Sequence, residues 1–79
     1  MTKLQEVRKS RGLSQSQLAD KADMSTRMVQ HYEQRIKDIN NVRIKTLLKL
    51  CLALDCEFED ILEDITNLEL LSEYKKRHY

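Results

Sequence analysis

Proline and tryptophan are missing from this chain, and glycine occurs once, at Gly12. With so few breakers, almost any segment is free to be helical, and an abundance of Leu, Lys, Glu and Gln fills that freedom with good helix formers. The expected fold class is all-α. Cysteine is nearly as scarce, and Cys51 and Cys56 are too few for the disulfide framework of a small secreted domain. No histidine stands near them, so no metal site is expected, and Cys51, on an apolar helical stripe, reads as a small core side chain. No apolar run approaches the ~20 residues that span a bilayer, and no basic segment followed by an apolar one opens the chain. The expected location is a reducing cytoplasm, with no membrane contact, no cofactor and no small-molecule ligand.

What is present is short and charged. The 79 residues make one domain, since ordinary domains run to about 100–150. A chain of this size buries only roughly 60 % of its unfolded surface, so well-capped helices or a partner subunit are needed, and a homodimer is expected. No nucleophile beside a base, paired-carboxylate pocket or phosphate-cradling glycine loop is visible, which argues against an enzyme. The net charge of +1 hides a sharp segregation: eleven Lys or Arg against five Asp or Glu over residues 1–49, none against eight over 50–74, and three against none over 75–79. The basic part suits a polyanion, and the acidic stretch should be turned away from it.

Cap signals divide the chain. Thr2 with Gln5 fits a capping box before a helix over about residues 3–11. Ser14 with Gln17, stapled by Leu13 and Leu18, opens a second over about 15–22, and Ser25, stapled by Met24 and Val29, a third over about 26–34. Only a tight turn fits between the last two, so they cross steeply as a helix-turn-helix. After a polar segment over 35–41, Asn40 or Asn41 is the expected cap of a helix over about 42–54 carrying Leu47, Leu48, Cys51 and Leu54. Asp55 breaks it. A fifth helix over about 58–64 follows from Phe58, Ile61 and Leu62, and Asn67 is the candidate cap of a short sixth with Leu68, Leu71 and Tyr74 on one face. Residues 1–64 read as the domain and 65–79 as an extension whose last residues, 74–79, fray.

Leu18, Ala19, Ala22, Val29 and Tyr32 are apolar where two crossed helices must meet, and Ala19 is small where their backbones approach. The opposite face of the third helix is then free, with Thr26, Arg27, Gln30, His31 and Gln34 able to reach base edges in a major groove. Arg27 can bridge guanine O6 and N7, and Gln30 adenine N6 and N7. In most proteins such a face is merely solvated; inside the whole motif the reading face is the better account. Metal ligation by His31 has no second ligand at the next turn to support it.

Residues 14–33, with Arg8, Arg11-Gly12-Leu13 before them and Thr46 to Asp55 and Asp60-Ile61-Leu62 after, resemble the Cro and lambda-repressor-like helix-turn-helix family, also called the XRE family. The resemblance spans about residues 3–63 and implies a five-helix DNA-binding domain. It places Thr26, Arg27 and His31 where base contacts are common, Gln15 where a phosphate is gripped, and Arg8 with Glu33 as a structural salt bridge. Departures are Asp23 and Arg35 at places usually held by glycine, and a loop over 35–41 about three residues longer than usual, without the customary proline. Arg35, Lys37 and Arg43 border that loop as candidate phosphate contacts. The expected function is that of a DNA-binding transcriptional regulator, a repressor acting as a homodimer on double-stranded DNA. The fifth helix with Leu68, Leu71 and Tyr74 is the candidate dimer surface. A phage-type repressor, a restriction-modification controller and an antitoxin-like autoregulator all fit; the alternative is a protein-interaction module, an antitoxin or adaptor that binds through the acidic C-terminal third.

Overall fold

The computed structural model describes residues 1–78, in which six α-helices follow one another: α1 (Lys3–Ser10), α2 (Gln15–Lys21), α3 (Thr26–Glu33), α4 (Ile44–Leu54), α5 (Phe58–Ile61) and α6 (Ile65–His78), with one 3-10 turn at Ile39–Asn41. The described residues contain no strand, and none of their helices is long and apolar enough to cross a membrane.

Hydroxyl side chains start the first three helices. Thr2 accepts from the Gln5 amide at 3.1 Å, Ser14 from Gln17 at 3.1 Å and Ser25 from Met28 at 3.2 Å. At Ser14 the box is reciprocal, because the Gln17 side chain accepts from the Ser14 amide at 2.8 Å. Each of these bonds satisfies an amide that the helix itself leaves unpaired.

The ends repeat one device. After α1, α2, α3 and α4 a residue takes positive φ, namely Gly12 (71°), Asp23 (53°), Arg35 (59°) and Asp55 (51°). The next residue then donates its amide back five positions, from Leu13 to Arg8, Met24 to Ala19, Ile36 to His31 and Cys56 to Cys51. These are Schellman closures, and three of the four are made without glycine. A left-handed residue with a Cβ costs about 1–2 kcal/mol, Asp somewhat less than most. Asp55→Gly should therefore raise stability by about 1 kcal/mol, seen as a higher urea midpoint at unchanged m-value, while Asp55→Ala should bring no gain.

Leu4, Leu18, Val29, Leu50, Leu54 and Ile61 are the largest of the fully buried side chains, so α1 to α5 share one core. Cys51 lies in it, and burial first, then the neighbouring Cys56 thiol, pushes its pKa up to about 12. Arg11 crosses from the end of α1 to that of α4, its Nε donating to the Leu54 carbonyl at 2.8 Å and Nη2 to that of Asp55 at 3.3 Å. Lys3 does the same for α5, donating through Nζ to the Glu59 carbonyl and to that of Leu62 at 2.8 Å.

The C-terminal half departs from expectation in four places. Helix α4 begins at Ile44 behind Arg43, whose side chain makes no capping bond. Asp38 caps the 3-10 turn instead, and Asn40 Oδ1 accepts from the amides of Glu63 at 2.9 Å and Asp64 at 2.7 Å, so its oxygen is spent on a distant segment. Helix α5 stops at Ile61, because Leu62 is extended. Helix α6 starts at Ile65 and has 14 residues, so Asn67 lies within it rather than at its cap. The expected fraying is replaced by helix through residue 78, with Lys75 Nζ 2.9 Å from Glu59 Oε1 and 3.6 Å from Glu57, and Arg77 3.0 Å from Glu73. The Lys75 hydrogen bond holds the Glu59 carboxyl below its ordinary pKa. Tyr79 lies outside the described residues.

Candidate nucleic-acid interface

The turn that joins α2 to α3 is set by Asp23 in the left-handed region and by Met24, whose amide returns to Ala19 at 3.0 Å. Leu18, Ala19, Ala22 and Val29 are buried where the two helices cross, and Tyr32 closes the other end, its burial raising the phenol pKa. One side of α3 is thereby committed to the core. Residues at the spacing of Arg27, Gln30, His31 and Gln34 lie together on the other side. Of these Arg27 and Gln34 are exposed, whereas Gln30 and His31 are half-buried, as is Thr26 at the first helical position.

Beneath this face runs a chain of polar contacts. Arg8 Nε donates to Glu33 Oε2 at 2.6 Å, Nη2 to Oε1 at 3.0 Å, and Nη1 to the Leu13 carbonyl at 2.8 Å. Both residues are buried, and the fork geometry orients as well as neutralises. Gln15 Nε2 donates to Glu33 Oε1 at 3.0 Å, and Gln30 Nε2 donates to Gln15 Oε1 at 3.3 Å. The chain Arg8, Glu33, Gln15, Gln30 therefore links α1, the start of α2 and the outward face of α3. A primary amide has two N–H donors, so Gln15 and Gln30 each keep one beyond the bond described.

The sequence reading paired Arg8 with Glu33 but missed the bonds of Gln15. Its only signal was a glutamine directly behind the Ser14 cap, and its partners stand 15 and 18 residues away.

The longer loop carries the remaining cations to two places. Lys37 and Arg43 line one groove of about 470 Å³ with Met28, Tyr32, Asp38, Asn41, Val42 and Thr46. Both Asp38 oxygens are engaged locally, by the Asn40 amide at 2.9 Å and Asn41 Nδ2 at 2.8 Å. Arg35 is brought elsewhere, with Nη2 3.5 Å from Glu63 Oε1 in a neighbouring groove that Lys37 also lines.

Comparison with known proteins fits this geometry. A helix-turn-helix family profile matches residues 4–61, which takes in α1 to α5. A search of curated proteins finds no match. The matched stretch is most of the chain and has the steeply joined pair α2 and α3 at its centre, so the protein belongs to the Cro and lambda-repressor-like, or XRE, helix-turn-helix family of DNA-binding regulators.

Proposed function

We propose that this protein is a sequence-specific transcriptional repressor of the cytoplasm, not an enzyme, that reads the major groove with α3 as a homodimer. The observation that carries the reading is the outward side of α3, rich in donors and acceptors while its inner side is packed and clipped to α1. In it Arg27 and His31, with Thr26 at the N-terminus, meet base edges, and Gln30 reads with the amide hydrogen left over from its bond to Gln15. Gln15, at the start of α2, donates its second hydrogen to a phosphate, where helix-terminal amides already favour an anion. Lys37 and Arg43 supply phosphate contacts from their shared groove, and Arg35 does so by exchanging an exposed ion pair worth little in water. Residues 65–79 act as an extension of the domain, and Leu71 and Tyr74 with α5 offer a subunit contact. Leu68 already packs on its own core, which leaves less of it for a partner.

The test is selection of bound duplexes from a random pool, with Arg27→Ala and Arg43→Ala beside the parent and salt varied. A palindrome with half-sites about one helical turn apart is expected. Arg27→Ala should relax preference at one position of each half-site by about 1–3 kcal/mol. Arg43→Ala should weaken all sequences alike and lower the salt slope by about one per half-site. No enrichment, with only weak salt-sensitive binding, would move the weight to a protein-interaction module using the acidic residues 55–74.

A further inference from the structure

The outer side of α4 has the composition of a buried face. Ile44, Leu48 and Leu52 recur at every fourth position and are 62, 45 and 82 % exposed, while Leu47, Leu50, Cys51 and Leu54 occupy the core side. Exposed aliphatic residues are ordinary when scattered, but a continuous stripe of three marks a contact surface. Its border is cationic: residues 39–54 include Arg43, Lys45 and Lys49 and no acid. Lys45 is exposed, and half-buried Lys49 donates to the Asp23 carbonyl at 3.4 Å and lies 3.6 Å from its open carboxylate, a pair that solvent renders weak.

The complementary pattern occurs on α6. Leu70 and Tyr74 are 64 and 54 % exposed and one helical turn apart. Each is directly preceded by an exposed glutamate, Glu69 and Glu73, the second in a solvent-exposed pair with Arg77 that is weak enough to exchange. On α4 each lysine directly follows an aliphatic residue, Ile44 or Leu48. An edge that follows one stripe meets an edge that precedes the other when two helices pack in parallel, as e and g positions do in a parallel coiled coil.

We infer that α4 of one subunit receives α6 of a second copy of this chain, with Leu70 and Tyr74 laid on the Ile44, Leu48, Leu52 stripe and Glu69 and Glu73 beside Lys45 and Lys49. A two-fold axis makes the contact twice and closes the dimer. The inference rests on the homodimer reading and assigns it a surface of α6 centred on Leu70, with Tyr74, which also lines a groove with Phe58 of α5, at its edge. No residue of the α3 reading face takes part.

The experiment is sedimentation of the full chain across micromolar concentrations, for the parent, Leu48→Glu, the pair Lys45→Glu with Lys49→Glu, the pair Glu69→Lys with Glu73→Lys, and all four reversals together. Circular dichroism verifies that each remains folded; should Leu48→Glu unfold, the charge variants carry the test. The parent should dimerise, each reversed pair should weaken the dimer by about 10–100-fold, and the fourfold reversal should restore most of that loss. A parent that stays monomeric overturns both the interface and the homodimer reading. A dimer indifferent to Leu48→Glu and to reversal of Lys45 and Lys49 overturns the interface alone and returns the subunit contact to α5 and Leu71.

Discussion

Replacing Glu33 with alanine is expected to destabilise the domain by about 3–5 kcal/mol, because a buried guanidinium would lose its charged partner and keep its desolvation penalty. Folded domains hold about 0.05–0.15 kcal/mol per residue, so most of the stability of a 79-residue chain is at stake. Urea unfolding should show either a steep fall in midpoint or no cooperative transition. The cause is testable separately from the size of the effect. Arg8→Met combined with Glu33→Leu removes both charges from a site where the pair is buried, and such apolar replacements are often neutral. The double variant should therefore be more stable than Glu33→Ala, and a double variant as weak as the single one would show that Gln15 and the Leu13 carbonyl, rather than the ion pair, carry the energy.

Leu50→Ala is the second large effect, about 2–5 kcal/mol, since it removes a fully buried side chain from the middle of α4 and leaves a cavity. The comparison that isolates burial is Leu52→Ala on the same helix, where the side chain is exposed and a surface substitution is expected to stay within about 0.5 kcal/mol. Thermal unfolding of the two at a concentration that keeps the chain monomeric would check the contrast. Equal losses would mean that burial does not set the cost at these two positions, since alanine is the better helix former at both.

The N-terminal half of the fold was legible because its signals are local. Thr2, Ser14 and Ser25 each cap an amide three residues ahead, and the apolar positions that close the crossing of α2 and α3 lie within the same stretch. Asn40 shows where such reading fails. Its side-chain oxygen is the same acceptor whether it caps a following helix or ties down amides at positions 63 and 64, and composition does not distinguish the two uses. Lys75 is a similar case, since a basic C-terminus reads as a free tail until Glu59 is seen opposite, whereas the pair of Arg77 with Glu73 one turn back lay within reach of helical spacing. In the candidate site the residue types of α3 were readable from helical spacing. That Gln15 is held between Glu33 and Gln30 was not, because that depends on how closely two helices cross.

The polar chain beneath α3 divides the proposed reading positions into two kinds. Gln30 is bonded to Gln15, and through Glu33 and Arg8 to the end of α1, so its replacement disturbs the scaffold as well as the base contact proposed for it. Arg27 has no bond in that chain, and neither do Thr26 and His31. On the proposed function, exchanges at these three positions alter operator preference while leaving the fold nearly unchanged. A lineage of such proteins could therefore drift to new DNA targets in single steps at 26, 27 and 31, whereas a change at 30 would call for a second, compensating change at 15.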